Sequence, residues 1–217
     1  MLAAIWCHGP VDRAEHQAAQ HHGDDIPAFL APLARAGDET SAGLLTVAMM
    51  VSSVDGRATI ANRVGGLTGK ADQQVLLGAR EMAAAVVVGG STVKAEGYDR
   101  LLDDQARARR RAIGLPPEPE LVVYTRASPP LPDLFNQLKG RHPGGLIVCE
   151  GGPTVLGMIV DHCLLDQLVL TLSPMLVADD TQKRIIEQHT TGGAELQLLA
   201  TASDGGFLFL RYGVTPT

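Results

Sequence analysis

Gly145-Leu146-Ile147-Val148-Cys149-Glu150-Gly151-Gly152-Pro153-Thr154 passes from a short apolar run through a glycine turn into the start of a helix. An apolar run of this length, without polar alternation, reads as a strand buried on both faces, as in a parallel sheet covered by helices. Ala84-Ala85-Val86-Val87-Val88-Gly89-Gly90-Ser91-Thr92 follows the same plan. At such a turn glycines let a phosphate approach the backbone, while free N–H groups and the helix dipole favour its charge. Thr92 and Thr154 either add hydroxyl donors or cap the helices. Neither turn is GxGxxG and neither carries a P-loop lysine, which excludes the Rossmann and Walker patterns. Strand-to-helix connections also use glycine for steric reasons alone. Two such turns at the carboxyl ends of neighbouring strands point to an anion site, since ligands of open α/β sheets bind there.

Working outward, residues 44–51 form another continuous apolar run and predict a buried strand. Val75, Leu76, Ala79 and Met82 have helical spacing and predict a helix over 70–82. Residues 101–113 read as a basic helix stopped by Gly114-Leu115-Pro116-Pro117. A strand at 121–124, helices at 131–138 and 154–161, and a strand at 167–172 follow. Runs at 196–201 and 207–214, joined by Ser203-Asp204-Gly205-Gly206, predict a tight hairpin. The alternation of strands and helices implies an α/β fold with a mostly parallel central sheet, closed by antiparallel strands at one edge.

Residues 1–43 differ from this pattern and form a separate N-terminal arm, with residues 44–217 as the main domain. The arm holds His8, His16, His21 and His22, and the acidic pairs Asp24-Asp25 and Asp38-Glu39. Leu30, Leu33 and Ala34, after Pro27, provide one helix to pack on the main body. The histidine spacing matches no metal-ligand template, so a solvated arm without a metal is expected.

The 217 residues are 45% hydrophobic and 19% charged, the balance of a folded chain rather than a disordered one. Aromatics are only 4%, which leaves Val, Leu, Ile and Ala to build the core. A net charge of −6 argues against a nucleic-acid partner. No apolar stretch approaches the roughly eighteen residues that span a bilayer. The opening Met1-Leu2-Ala3-Ala4-Ile5-Trp6 lacks the basic region of a signal peptide. Cys7, Cys149 and Cys163 form no CxxC pair, so reduced thiols in a cytoplasmic protein are expected, with Cys149 and Cys163 buried and inert.

Several polar residues stand where chemistry could occur. Glu150, a carboxylate at the end of an apolar strand, either bonds backbone N–H groups of a neighbouring loop or meets a ligand. Ser52-Ser53-Val54-Asp55-Gly56-Arg57 ends the first strand, and Asp55 either caps the turn or binds a hydroxyl or cationic centre. Lys94, Glu96 and Tyr98 follow the first glycine turn and are either solvated or ligand-facing. Arg107, Arg109, Arg110 and Arg111 read as an exposed helix face.

Taken together, Val51 to Arg57, Val87 to Tyr98 and Cys149 to Gly157, with Asp166-Gln167-Leu168-Val169-Leu170-Thr171-Leu172-Ser173-Pro174, resemble the pyrimidine reductase domain of riboflavin biosynthesis. The likeness covers residues 44–217. It implies a dihydrofolate-reductase-like fold, NADPH as hydride donor, a homodimer, and reduction of a ribosylamino-pyrimidine to its ribitylamino form. On that resemblance Gly89, Gly90, Ser91, Thr92 and Val93 hold the cofactor, as do Gly151, Gly152, Pro153, Thr154, Val155 and Leu156. Thr68 matches a further cofactor turn, and Arg126 is placed to meet a 2′-phosphate. Asp55 and Glu150 become the catalytic acids, with Ser53, Glu96, Tyr98 and Arg100 on the substrate side.

Two departures mark a divergent branch. Glu96-Gly97-Tyr98 replaces the family's paired acids and following arginine, with only Arg100 nearby, which opens pterin or dihydrofolate reduction as well. The stretch between Thr125 and Leu146 is shorter than the family's adenosine-binding region. The alternative function is a catalytically lapsed protein of the same fold that binds and senses a nucleotide.

Overall fold

The structure, a computed structural model, describes residues 18–22, 25–34, 44–187 and 193–215. Cys7, His8, His16, Asp24 and Asp38-Glu39 lie outside these residues. In chain order the described elements are β1 (Ala19–His22), α1 (Ile26–Ala34), β2 (Leu45–Ser53), α2 (Lys70–Met82), β3 (Ala85–Gly89), α3 (Gly90–Glu96) and α4 (Asp104–Ala112). Then come β4 (Glu120–Tyr124), α5 (Leu131–Arg141), β5 (Leu146–Cys149), α6 (Pro153–Asp161), β6 (Gln167–Ser173), β7 (Glu195–Asp204) and β8 (Phe207–Thr215).

All eight strands join one sheet in the order β1-β7-β8-β6-β2-β5-β3-β4. β6, β2, β5, β3 and β4 run parallel, and β8 is antiparallel to both β6 and β7. The apolar runs form strands because both sheet faces are covered. Val86, Val148 and Val169 point to the side packed by Phe29, Leu33, Val75 and Leu102. Val87, Ile147 and Cys149 point to the opposite side, among Leu134, Leu138, Leu156 and Ile159. The hairpin turn places Gly205 and Gly206 at φ of +56° and +88°, a conformation that favours glycine.

The register positions the site. Cys149 lies opposite Ala48 on one flank and Val87 on the other, so the chain leaves β5 next to the end of β3. The Glu150 N–H donates to the Val87 carbonyl at 2.9 Å, tying the two glycine turns together.

Three local expectations change. β1, for which residues 1–43 showed no strand signal, pairs parallel with β7 outside the hairpin, with Ala19 opposite Ala200 and His22 opposite Ser203. Arg110 is not on a solvated face: it is 1% exposed. Its guanidinium donates to the carbonyls of Pro116, Glu81 and Ala83 at 2.7–2.8 Å, closing the end of α2 against the loop after α4. Of the described cysteines, Cys149 is a free, buried thiol, while Cys163 is disulfide-bonded and so departs from the expected reduced state.

Candidate functional site

The two glycine turns meet at the carboxyl ends of β3 and β5. Gly152 faces Thr92 so closely that an added Cβ would lie 3.3 Å from its Oγ1. A Cβ on Gly151 would lie 2.5 Å from Val155, so glycine is what allows the chain to turn into α6 there. α6 starts at Pro153, and its first free N–H groups favour an anion at this end.

Beside this junction is a cavity of about 370 Å³. Its size falls within the range of small-molecule sites, roughly 300–1,000 Å³. Its wall includes Met49 and Val51 from β2, Thr68 and Asp72 around the start of α2, Arg80 further along α2, and Thr171 from β6. No helix among the described residues is long and apolar enough to cross a membrane.

Glu150 enters the cavity wall as part of a three-residue cluster. Arg80 Nε donates to Glu150 Oε1 and Arg80 Nη2 to Oε2, both at 2.6 Å. Tyr98 donates its hydroxyl to the same Oε2 at 2.9 Å, and the Arg80 guanidinium lies 5.3 Å from the Tyr98 ring centre. The third arm, Arg80 Nη1, reaches the Leu101 carbonyl at 3.3 Å. Burial opposes the Arg80 charge most strongly, but the bond to Glu150, the Glu150 charge and Tyr98 together outweigh it and hold its pKa above the ordinary value. Burial, and then the Glu150 charge, push the Tyr98 phenol well above the usual tyrosine range. The partners of Glu150 are thus two side chains besides the strand backbone, an arrangement the sequence offered no way to choose.

Asp72 is the second buried carboxyl of the wall, and sequence reasoning passed over it. It is 8% exposed and hydrogen-bonds to Thr171. Burial raises its pKa, and the Thr171 bond offsets part of that. No cation pairs with it among the described residues. The one available signal was its position in the first turn of the helix directly after Thr68-Gly69.

The expected site residues divide into two groups. Thr68, Glu96, Tyr98 and Glu150 line the cavity, and so do Ser91, Thr92 and Gly151 to Val155. Glu96 also accepts from the Val64 N–H at 3.3 Å. Gly89, Gly90, Val93 and Leu156 stand behind this wall in the same two loops. Asp55 and Ser53 lie outside the wall. The Asp55 carboxylate accepts from Ser53 Oγ at 2.5 Å and from the N–H groups of Val177 and Ala178 at 3.0 and 2.8 Å. These bonds, Ser53 first, hold its pKa well below the usual carboxylate range. Asp55 therefore fastens the segment after β6. Arg100 also stands away from the cavity, donating to the Leu102 carbonyl at 2.6 Å and pairing with Asp104. Arg126 is exposed in the turn beyond β4, one residue after Thr125, which packs on Gly90.

Residues 45–207 match the family of RibD C-terminal domains. No curated protein has a matching sequence. Among solved structures, the chain is similar to a pyrimidine reductase-like protein of Corynebacterium diphtheriae, at 20% identity and a TM-score of 0.70, over 80% of this chain and 92% of that one. It is similar to the riboflavin biosynthesis reductase Rib7 of Saccharomyces cerevisiae, at 15% identity and a TM-score of 0.61, over 88% and 100%. RibD of Acinetobacter baumannii shows 16% identity and a TM-score of 0.60, over 81% of this chain and 59% of that chain. At these identities the likeness is one of fold.

Proposed function

The chain belongs to the RibD C-terminal domain family, and from that premise we propose that it is an NADPH-dependent reductase of a ribosylamino-pyrimidine or of a pterin or dihydrofolate. One observation carries this reading: a single cavity is walled by both glycine turns, by the Arg80–Glu150–Tyr98 cluster and by Asp72. The residues present fit a dinucleotide. Glycine at 151 and 152 leaves the backbone bare where side chains would crowd Val155 and Thr92, and the start of α6 favours a phosphate.

On this reading the loops from Gly89 to Val93 and from Gly151 to Leu156 hold the cofactor. Thr68 contacts it from the start of α2, and Arg126 stands beyond β4 where a 2′-phosphate would be met. When bound, NADPH supplies a hydride for an iminium or ring carbon. The chain's own share is placement and shielding. Met49, Val51, Leu76 and Val155 exclude water from the wall. Arg80 and Tyr98 hold the Glu150 carboxylate fixed, so it meets a cationic centre without reorganising. A homodimer belongs to the same proposal and is checked by sedimentation.

Titration with NADPH, followed by nicotinamide fluorescence, tests the reading. Saturable binding, with cofactor oxidation on adding a ribosylamino-pyrimidine or dihydrofolate, is expected; no binding of NADPH or NADH would sink it. Binding without turnover of either substrate class would favour a lapsed nucleotide sensor. What favours that second reading is that Glu150 and Asp55 are both fully engaged by protein donors.

A further inference from the structure

Asp72, Leu76 and Arg80 recur at four-residue spacing on α2, and all three stand in the cavity wall, so one helix face borders the substrate space. Ser91 and Thr92 of the first glycine turn and Gly151 to Thr154 of the second supply another part of the wall. The buried Glu150 carboxylate joins these pieces. Glu150 itself opens the second turn. Arg80 donates to both of its oxygens at 2.6 Å. Tyr98, two residues past α3 and so on the chain that leaves the first turn, donates to Oε2 at 2.9 Å. Arg80 also holds the Leu101 carbonyl, three residues further on, at 3.3 Å. A planar fork fixes angle as well as distance, whereas neutralising one carboxylate needs only a single cation. The donors gathered here exceed what charge balance requires.

We propose that Arg80 and Tyr98 are positioning residues for hydride transfer: through Glu150 they set the gap between the α2 face and the two turns that hold the cofactor. The inference rests on the reductase reading and goes beyond it, since there Glu150 is only an electrostatic partner. The step reduces a C=N bond of the substrate. Its carbon accepts hydride from NADPH, which leaves as NADP+, and its nitrogen takes a proton from water. Loosening the node costs little affinity, because both turns still offer their backbone groups. A misplacement of about 1 Å between donor and acceptor carbons slows transfer by up to ~10²-fold.

Two variants of the full chain test this. Arg80→Lys keeps a cation beside Glu150 and gives up the fork, while Tyr98→Phe keeps the ring and gives up the hydroxyl. Near-UV circular dichroism checks that each is folded, and Tyr98→Phe alone decides the matter if Arg80→Lys is not. Without cofactor, the Gly151 and Gly152 amides should exchange hydrogen faster in both variants than in the parent, while the amides of β5 do not. NADPH affinity, from nicotinamide fluorescence, should fall by less than ~3-fold. The single-turnover rate of NADPH oxidation by excess dihydrofolate or ribosylamino-pyrimidine should fall by ~10-fold or more. A lysine variant that transfers hydride at the parent rate would overturn the proposal, because charge alone would then suffice. So would unchanged exchange at Gly151 and Gly152, or a loss of rate no larger than the loss of affinity. A parent chain that binds no NADPH, or oxidises it with neither substrate, sinks the reductase reading and this inference with it; variants that match an active parent sink the inference alone.

Discussion

Arg80 grips both carboxylate oxygens of Glu150 at 2.6 Å, with only 13% of the arginine side chain and 4% of the glutamate side chain exposed. Removing one partner leaves a buried, unmatched charge, whereas removing both leaves a hydrophobic contact. Arg80→Met should therefore cost about 3–5 kcal/mol in urea unfolding. The double variant Arg80→Met/Glu150→Leu should recover most of that loss.

Tyr98 donates to the same carboxylate, and its phenol holds its proton to a higher pH than an unfolded chain's tyrosine would. Unfolding thus releases a proton above the ordinary tyrosine pKa of about 10. This contribution to stability is complete below that pH and is lost as pH rises. Tyr98→Phe should cost about 1.5 kcal/mol near neutrality. It should also flatten the alkaline decline, as read from urea midpoints across a pH series.

Asp55 ties the backbone of Val177 and Ala178 to the end of β2. Asp55→Asn keeps the shape but replaces one acceptor oxygen with a donor, so those two amides should exchange hydrogen faster while the core amides do not. In the parent chain the depressed pKa keeps the carboxylate ionised, and the clamp intact, down through the ordinary carboxylate range. Protection should fail only at still lower pH. Unchanged exchange at Val177 and Ala178 in Asp55→Asn would remove the clamp.

Gly151 and Gly152 are adjacent but should respond differently to alanine. At 151 the new Cβ would sit 2.5 Å from Val155 Cβ, an overlap that should cost about 1–3 kcal/mol in thermal or urea unfolding. At 152 the nearest atom is Thr92 Oγ1 at 3.3 Å, a tight contact that a small shift of that hydroxyl relieves, so the cost should be smaller than at 151. If the loop holds the cofactor backbone-to-phosphate, Gly152→Ala should weaken NADPH binding by ~10-fold or more, one good contact's worth. Wild-type affinity in that variant would take the loop out of the cofactor site.

How much of this could be read from residues alone depends on how local each cause is. The helix Lys70–Met82 has the bounds its apolar spacing predicts, because Val75 and Ala79 repeat on one buried face. The strands ending at Gly89 and Cys149 were legible because burial on both faces leaves an unbroken apolar run. Arg110 was misread because four arginines look like a solvated surface. Its place one helical turn after the buried Ala106 puts it inward, where carbonyls from distant residues take its donors. The Glu150 loop was visible from its glycines, but Arg80 and Asp72 were not. A lone charge on an amphipathic helix is solvated by default, and only the crossing of α2 over the ends of β5 and β6 brings these two into the wall.

β1 was missed because Ala19-Gln20-His21-His22 has little strand propensity, and its pairing with β7 supplies what local preference does not. That pairing occupies backbone groups of residues 200–203 which the hairpin would otherwise leave open. An uncovered strand margin is a template on which another molecule's chain can add itself, and a four-residue cover is too short to offer much of one in turn. A chain beginning after residue 25 should therefore keep the cavity yet assemble beyond the proposed dimer, visible as a concentration-dependent rise in light scattering that the parent does not show. The N-terminal segment would then be serving solubility, guarding the sheet margin opposite the strands that carry the site.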